Sequence, residues 1–596
     1  MTESKDRSAY STNKWNVKDL YKSEDDFYIE LENLTKLVNK YGDYKGKLLS
    51  SSKTLLELLE FDTEFSKRLE QLYIYAHINN DSDTRDSHYQ ELYGKVVNLN
   101  ALSNELTSYI VPELLESDYE VVERYIGEEK DLKKYERVLK SIYRKKKHVL
   151  SKAEENIISS FSKVFSMPHE VQSILTDSDF TFDNIEVDGK SMELTESNYS
   201  TYIRHKDRNV RLQAFKSLFK TYKKFNNTLS STIKQEMDLQ TLIAKLRKYD
   251  NSLEASLYDD EIDSKVYYNL ISAVHKNMDK VYKYFEFKKK YLGLDEIHIY
   301  DTYTDLDIEN NEKIEFEQGK EMLFSALKPL GEEYLKDLEK SFDEGWIDSI
   351  NNKGKRGGAY CTSCYNVHPY VLMSYENTLE DVSTLAHELG HAMHYYYACK
   401  NQEYQDYGYS IFVAEVASQV NEILLYRYLL DNTDNKNTKI AIIDKLLGQF
   451  KSTIYRQTMF AEFELFMHEY AEKGNILTKD VLNDKYYELN KLYYGDNVVV
   501  DEEIKYEWSR IPHFYYNYYV YQYATGFAAA IKIANQIYSG DEEMRDNYLK
   551  FLTLGCTLNP IESLKVSGVD MTSDSVINDA TSYMEELLEE INKISK

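Results

Sequence analysis

The sequence predicts a mainly α-helical fold that carries a small β-sheet. Only six prolines and 21 glycines occur in 596 residues, so long unbroken helices are possible over most of the chain. Leucines and tyrosines also recur at intervals of three and four residues between positions 15 and 175. We interpret these apolar stripes as the surfaces through which the helices pack.

Short strand-like segments interrupt the helical pattern. Residues 180–195 are rich in β-branched and aromatic residues around the pair Asp188-Gly189, which is typical of a hairpin turn. Two further candidate strands occupy residues 297–306 and 357–375. Helical patterns then continue to the end of the chain, so the strands can form only a small sheet.

The hairpin also indicates how the chain is divided. A chain of 596 residues is long enough for more than one domain with a buried core. We place the boundary at the end of the hairpin, near residue 200. This gives an amino-terminal helical domain (1–200) and a larger second domain (201–596).

The composition excludes several classes of protein. Hydrophobic residues make up 42% and charged residues 29%, which indicates a soluble globular chain. The formal net charge of −28 argues against binding to nucleic acid or to anionic membranes, because both need a basic surface. No apolar run approaches a membrane span, and residues 1–11 lack the apolar core of a secretory signal. With only four cysteines, the chain is not a disulfide scaffold, and we expect a cytoplasmic protein without an obligate protein partner.

The sequence HELGH, at residues 387–391, is the main chemical signal. It lies on a predicted helix that starts with a capping box at Thr378 and Asp381 and runs to about Ala398. Apolar residues line the back of this helix, which places the histidines inside the protein, where they need partners. A chance HExxH pattern and a closed structural zinc site are the alternatives, but structural sites usually have four ligands and several cysteines.

The spacing within HELGH suits metal-assisted hydrolysis. His387 and His391 point the same way from successive helical turns and can bind one Zn²⁺ through ring nitrogens. Glu388 projects beside the metal and is expected to take a proton from zinc-bound water. Gly390 leaves room for a substrate or for a closely packed helix.

His394 is one candidate for a third ligand. It shares a face with the other two histidines, but it lies roughly 10 Å from His387 along the helix axis. Three ligands from consecutive turns of one straight helix cannot easily surround one ion. We therefore assign His394 to the second shell of the site.

The next predicted helix, residues 410–430, supplies a better third ligand. It is strongly apolar but carries a polar stripe at Glu415, Gln419 and Glu422. A buried carboxylate needs a partner, and a zinc ion on the neighbouring helix would satisfy Glu415. Glu422 could then orient a ligating histidine from the second shell. The alternative is that the stripe is solvated or pairs with basic residues.

Two of these segments resemble a known family of enzymes. TLAHELGHAMHYYY and YSIFVAEVASQVNE are similar to segments of the oligoendopeptidase F branch of the thimet oligopeptidase family of zinc metallopeptidases. NKWNVKDLY, YDTYTDL, GKRGGAY, HPYVLMSY and RIPHFYYNYYVYQYATGFAAA also match this branch, in the family's order and over nearly the whole chain. The resemblance implies a large helical, two-lobed peptidase with a deep central channel that admits peptides and excludes folded proteins.

The resemblance also implies roles for individual residues. One zinc ion per chain would be bound by His387, His391 and Glu415, with Glu388 as the general base. A histidine that stabilises the tetrahedral intermediate corresponds to His513, and the first tyrosine after it corresponds to Tyr518. The register beyond Tyr518 is ambiguous because tyrosines recur at 519, 521 and 523, and among them we assign a substrate contact to Tyr521.

The stretch GGAYCTSCY resembles the family's substrate-side strand. Two glycines before a strand let another backbone approach, so a peptide could pair along its edge. We assign these contacts to Gly358, Ala359 and Tyr360. Cys361 and Cys364 form a CxxC pattern, which suggests redox chemistry or zinc, but no second pair completes such a site. We interpret both cysteines as strand residues.

The function predicted from the sequence is zinc-dependent hydrolysis of internal peptide bonds in short peptides, within an enclosed channel. A peptide-binding or chaperone-like protein without activity is one alternative, although such a protein has no chemical need for Glu388. An aminopeptidase is another alternative. It would need an acidic anchor for the substrate's free amine, and Glu422 is the only nearby candidate.

Overall fold

The computed structural model describes residues 14–306 and 313–595. Residues 1–11, on which the prediction about a secretory signal depends, lie outside the described residues. The α-helices, in chain order, are α1 Glu24–Leu37, α2 Ser52–Ser82, α3 Ser87–Thr107, α4 Ile110–Leu115, α5 Tyr119–Glu128, α6 Glu136–Arg144, α7 Lys152–Ser160, α8 Ser162–Phe165, α9 Met167–Ile174, α10 Glu196–Ile203, α11 Arg208–Leu246, α12 Ser252–Leu257, α13 Lys265–Lys276, α14 Met278–Tyr291, α15 Phe316–Ala326, α16 Glu332–Asp343, α17 Leu379–Asn401, α18 Ile411–Asn432, α19 Lys436–Gln449, α20 Arg456–Glu472, α21 Lys479–Tyr494, α22 Tyr521–Tyr538, α23 Glu542–Leu552, α24 Pro560–Val566 and α25 Ser575–Ile594.

The strands are short, which confirms a mainly helical fold with a small β component. They are β1 Ile185–Val187, β2 Lys190–Met192, β3 Ile297–His298, β4 Ile347–Asp348, β5 Tyr360–Thr362, β6 Tyr370–Leu372 and β7 Val498–Val499. Among the described residues, none of the helices combines the length and the apolar character that a membrane crossing requires.

The chain divides into two compact units, each built from several segments. Within the described residues, the first unit comprises 14–149, 313–429 and 533–568. The second comprises 150–306, 430–532 and 569–595. These units are defined by packing and do not follow the predicted consecutive domains, 1–200 and 201–596. That division by sequence therefore stays a prediction.

In the first unit, the amino-terminal helices form a core that supports a three-stranded sheet. The sheet has the order β4-β6-β5, with β4 parallel and β5 antiparallel to the central strand. Tyr370 and Leu372 of β6 are fully buried and belong to the same apolar cluster as leucines of α1 to α3. Strand β5 lies at the edge of this sheet, where β6 is its one neighbouring strand in the part of the chain that the structure describes, and it precedes helices α17 and α18.

The second unit contains α11, the two-stranded pairs and α19 to α21. The hairpin is confirmed: β1 pairs antiparallel with β2, and Asp188 and Gly189 adopt φ values of 49° and 73°, as a type I′ turn requires. The predicted strand over 297–306 is wrong beyond His298, because residues 299–303 form a 3₁₀ turn. The carboxylate of Asp301 caps this turn by accepting the backbone N–H of His298 at 3.0 Å.

Candidate active site

Helix α17 begins where the sequence predicts, because side chains cap its first turn. The hydroxyl of Thr378 accepts the backbone N–H of Asp381 at 3.2 Å, and the carboxylate of Asp381 accepts the backbone N–H of Thr378 at 2.9 Å. The helix runs to Asn401, slightly beyond the predicted end. Its apolar side, which includes Leu385 and Leu389, is fully buried. This burial fixes the direction in which the histidines project.

The helical repeat brings two imidazoles together, and α18 adds a carboxylate. The ring centroids of His387 and His391 are 4.9 Å apart. Oε2 of Glu415 lies 3.4 Å from Nε2 of His387 and 3.7 Å from Nε2 of His391. One ligand atom from each side chain lies within 4.8 Å of the others, and within residues 14–306 and 313–595 this is the only such group of three metal-ligating residues.

The three side chains fit one zinc ion. Two imidazole nitrogens and a carboxylate oxygen are a donor set of catalytic zinc sites, which leave the fourth position to water or substrate. With zinc–ligand distances of about 2.1 Å, tetrahedral geometry separates two ligand atoms by roughly 3.4 Å. The distances of 3.4 and 3.7 Å between Glu415 and the two histidines are close to this value.

Gly390 allows the two helices to approach closely enough for this geometry. A Cβ atom at this position would lie 2.5 Å from Cα of Ser418 and 2.6 Å from the carbonyl oxygen of Ala417. The residue therefore makes room for a neighbouring helix, which was one of the two reasons predicted for a glycine here. No larger residue fits unless α18 moves.

A second carboxylate, that of Glu422, contacts the ring nitrogen of His387 that faces away from Glu415. Oε1 of Glu422 lies 3.2 Å from Nδ1 of His387, so the two ring nitrogens of His387 face different glutamates. This placement suits the predicted role of Glu422, because a carboxylate on one ring nitrogen fixes the tautomer and the orientation of the other.

The charges of this site are strongly coupled. Burial opposes protonation of His387, but hydrogen bonds to Glu415 and Glu422 outweigh it and raise its pKa to about 10. Burial alone would raise the pKa of Glu415, but the two histidines lower it to about 2. Burial and the charge on His387 lower the pKa of His391 to about 4. His387 is thus protonated at neutral pH, and the carboxylates of Glu415 and Glu422 stabilise its positive charge.

Glu388 lies on the same helix but takes no part in the three-residue group. Its side chain is buried, and burial raises its pKa to about 7 although the charge on His387 opposes this shift. A carboxyl group that titrates near neutrality is suited to accept and return a proton. The thiol of Cys361 lies close enough to Glu388 for the carboxylate charge to add to burial in raising the pKa of that thiol.

His394 is packed into the protein and is not one of the three grouped residues. Its ring stacks on Tyr409 at 3.8 Å between centroids and contacts Phe551. Burial lowers its pKa to about 3, so the ring is neutral. Its predicted role of supporting the metal ligands without binding the ion stays a prediction.

The residues predicted to bind substrate lie at or before the edge strand β5. Gly358 has a φ of +85°, which a residue with a side chain would adopt only under strain, and Ala359 leads into the strand. The hydroxyl of Tyr360 donates a hydrogen bond to Asp81 of α2 at 3.1 Å. The strand is therefore fixed to the amino-terminal helices, while its outer edge has no strand partner among the described residues.

The CxxC pattern is not a paired site. Both cysteines are free thiols. Cys361 lies in β5, as predicted, whereas the prediction is wrong for Cys364, because strand pairing ends at Thr362. Cys364 is instead buried in the apolar core of the first unit.

His513 belongs to the second unit, where it lies among tyrosines. It is half-buried, and its ring contacts those of Tyr516, Tyr519 and Tyr523 at centroid distances of 5.6 to 6.1 Å. Burial lowers the pKa of His513, so the imidazole is neutral and donates one N–H. The three aromatic rings pack around the imidazole and restrict its movement.

The tyrosines predicted beside His513 point in different directions. Tyr518 is buried, with its ring stacked on His468 at 4.4 Å. Tyr521 is also buried, and its ring lies 5.0 Å from that of Tyr267. Tyr519 and Tyr523 are only half-buried. Neither the catalytic role of Tyr518 nor the substrate contact of Tyr521 is tested by this placement.

Sequence reasoning missed the residues that hold α17 against α18. The side-chain amide of Asn421 donates to the backbone carbonyl of Ala386 at 3.2 Å, and the hydroxyls of Ser383 and Tyr426 are 2.6 Å apart. Asn421 and Ser383 are buried polar residues on otherwise apolar helix faces. That isolated polarity is the signal that could have identified them, since buried polar groups need partners.

A helical protein that gathers two histidines of HExxH and a glutamate from the following helix belongs to the class of helical metallopeptidases. Comparisons with known proteins give the same class. Residues 201–583 match the model of peptidase family M3, and residues 113–182 match the model described as oligopeptidase F.

The relatives cover almost the whole chain. The chain is 40% identical over 581 residues to oligopeptidase PepF of Bacillus subtilis, which covers 97% of this chain and 87% of the relative. It is 35% identical over 582 residues to an oligoendopeptidase F homolog of Lactococcus lactis, with 97% of each chain covered. The crystal structure of oligoendopeptidase-F from Enterococcus faecium is similar with a TM-score of 0.75 at 34% identity, over 96% of this chain and 99% of that one.

These matches establish the family. The chain belongs to peptidase family M3 and is related over nearly its full length to its oligoendopeptidase F branch. It is accordingly a hydrolase of the metallo-endopeptidase type.

Proposed function

We propose that this protein is a zinc-dependent oligoendopeptidase that cuts internal bonds of short peptides. The observation that carries the proposal is the group formed by His387, His391 and Glu415, with Glu388 directly after the first ligand. The substrate class is supported by the curated relatives, which are named oligopeptidase and oligoendopeptidase.

We propose that one zinc ion per chain binds to His387, His391 and Glu415. When bound, the ion supplies Lewis acidity that polarises a carbonyl group and makes a water molecule more acidic. Glu422 holds the ring of His387 through Nδ1, which leaves Nε2 of that ring directed at the site.

Glu388 moves the proton in this mechanism. Its carboxylate takes a proton from the attacking water as the water oxygen forms a bond to the carbonyl carbon. When the C–N bond breaks, the same carboxyl group gives that proton to the leaving nitrogen. The buried position of Glu388 supports both steps, because burial raises its pKa to about 7, where the group can both accept and donate a proton.

The His513 segment is proposed to stabilise the oxygen that becomes negative during attack. The neutral imidazole of His513 offers an N–H donor, and such donors contribute several kcal/mol when they are held in place. We propose that a tyrosine of the same segment serves this step and that Tyr521 borders the substrate, on the strength of the family resemblance. The edge strand at Gly358 to Tyr360 is proposed to pair with the peptide backbone.

Two further parts of the proposal concern access and location. We propose that the reaction occurs in a deep channel that excludes folded proteins, as the likeness to oligoendopeptidase F implies. We also propose a cytoplasmic location, since the four cysteines are unpaired, as is usual where thiols stay reduced.

The first test is the substitution Glu388→Gln. We expect kcat on an internally quenched peptide to fall at least about 10³-fold, because removal of a catalytic proton acceptor removes more than one step. Zinc content, measured by mass spectrometry, should stay at one ion per chain. Glu403→Gln, on the exposed surface beyond α17, is the control. Full activity of Glu388→Gln would remove this residue from the mechanism.

The second test separates an endopeptidase from the alternatives. Chelation should abolish turnover, and added zinc should restore it, whereas a binding protein shows no turnover in either state. Peptides with a blocked amino terminus should be cut as fast as free ones, which an aminopeptidase cannot do. A length series that ends in an unfolded protein tests the channel, and equal rates across the series would refute restricted access.

A further inference from the structure

The segment that follows His513 contains an unusual backbone turn. Asn517 and Tyr518 are consecutive non-glycine residues with φ values of +51° and +58°. Each such residue is strained, and two in a row persist only where the surroundings hold them. This turn joins His513 to the start of α22. The backbone direction at the turn therefore sets the orientation of His513 relative to α22.

Two hydrogen bonds hold the backbone of this turn. The carboxyl oxygen Oε1 of Glu464, on α20, accepts the backbone N–H of Tyr518 at 2.6 Å. The hydroxyl of Ser256 donates to the backbone carbonyl of Asn517 at 2.9 Å. The first bond is short and fully buried, so water does not compete with it and it is the stronger constraint on the turn.

The side chain of Tyr518 is anchored in the same core. Its hydroxyl lies 3.3 Å from Oγ of Ser252, which also lies 3.0 Å from Nδ1 of His468. The Ser252 hydroxyl donates its proton to Glu472 at 2.6 Å, so it accepts from the other two groups. The ring and the hydroxyl of Tyr518 are therefore both engaged inside the second unit.

Glu464 is a costly residue to keep at this position. It is fully buried, and within residues 14–306 and 313–595 its second oxygen, Oε2, has no hydrogen-bond partner. Burial raises its pKa to about 8, so the group is largely protonated at neutral pH. A leucine of similar volume would avoid this cost but would not accept the N–H of Tyr518. The hydrogen bond to the turn is the contact for which the carboxyl group is needed.

We propose that Glu464 is a positioning residue for catalysis. Through the backbone of Tyr518 it fixes the left-handed turn, and the turn fixes the imidazole of His513 and the half-buried tyrosines after it. Tyr518 is the anchor of the segment, with its hydroxyl directed into the core. This inference rests on the proposed function of His513 as a donor to the reacting oxygen.

The test compares Glu464→Leu with Glu464→Gln. Leucine removes the acceptor, and we expect kcat to fall at least tenfold, with KM changed less than threefold and zinc content unchanged. Glutamine keeps an acceptor oxygen for the N–H of Tyr518, and kcat should return to within threefold of the native value. Glu469→Gln, on the half-exposed side of α20, is the matched control. Rates are measured well below the melting temperature of each variant, so that a loss of stability alone does not lower kcat.

Two more variants keep the outcome decisive if Glu464→Leu does not fold. Tyr518→Phe should lower kcat less than fivefold, because this variant keeps the backbone hydrogen bond to Glu464. A hundredfold loss of kcat would show that the hydroxyl acts on the substrate, and it would overturn the anchor role. His513→Ala should lose at least a hundredfold. Native kcat in His513→Ala refutes the proposed function of the segment and the inference with it. A loss in His513→Ala combined with native kcat in folded Glu464→Leu refutes the inference alone.

Discussion

Gly390 lies where α17 packs against α18, and the substitution Gly390→Ala tests how the metal site is built. The added Cβ would lie 2.5 Å from Cα of Ser418 and 2.6 Å from the carbonyl oxygen of Ala417. Carbon atoms pack at about 3.5–4.0 Å, so α17 and α18 must separate locally by about 1 Å. Both atoms belong to the backbone of α18, so no side-chain rotation can relieve the clash.

The same movement changes the metal site. Glu415 lies one turn before Ser418 on α18, and its carboxylate would retreat from His391, which is 3.7 Å away in the native protein. A further 1 Å or so exceeds the roughly 3.4 Å that one tetrahedral zinc ion spans between ligands. We expect zinc affinity to fall about 10- to 100-fold. The metal-free protein should lose about 2 kcal/mol or less, because better helix propensity partly offsets the overpacking.

Zinc affinity is measured by competition with a chromogenic chelator, and stability by thermal unfolding of the metal-free protein. Gly94→Ala on α3 is the control, because no atom lies within 4 Å of a Cβ added there. That variant should keep native affinity and gain up to about 1 kcal/mol of stability. Native zinc affinity in Gly390→Ala would refute the argument that this contact sets the ligand distances.

The remaining predictions concern charge. Glu422→Gln should weaken zinc binding about 10- to 100-fold, since Nδ1 of His387 loses its charged partner. Equilibrium dialysis measures the zinc affinity, and an unchanged affinity would contradict this prediction. Zinc binding at pH 8 should release about one proton, because the pKa of His387 is about 10 in the metal-free site. Calorimetry in two buffers of different ionisation enthalpy counts the released protons, and a count of zero would contradict this prediction. The pKa of Glu464 rises from 4.5 to about 8 on folding, so its stabilising contribution is complete below pH 4.5 and is lost as the pH rises through 8. Urea unfolding should show the native protein losing roughly 3 kcal/mol relative to Glu464→Gln between pH 5 and pH 8, and parallel curves would show that the group is not buried in its protonated form.

The parts of the fold that the sequence predicts correctly are those with local signals. The cap at Thr378 and Asp381 and the turn at Asp188-Gly189 each depend on residues a few positions apart. The predicted strand over 297–306 depends on β propensity alone, and distant residues override it. Asp301 accepts hydrogen bonds from Arg208 and Arg211 of α11, and these bonds hold the segment as a turn.

The candidate site follows the same rule. His387 and His391 share a helix face, and the polar stripe of the next helix indicates Glu415, so their placement is predictable from spacing. The orientation of the tyrosines after His513 is not. A left-handed turn at Tyr518 changes which tyrosines face the core, and the acceptor that holds the turn, Glu464, is distant in sequence and carries no motif.

The interleaved segments of the two units have a consequence for synthesis on the ribosome. The first unit needs residues 533–568, because Arg427 of α18, for example, donates a hydrogen bond to Asn535 at 3.0 Å. The nascent chain must therefore carry its amino-terminal helices in an unfinished core while much of the second unit emerges. Such contacts across long stretches of sequence slow folding and expose apolar surface. A nascent chain that stops before residue 533 should therefore be open to proteolysis.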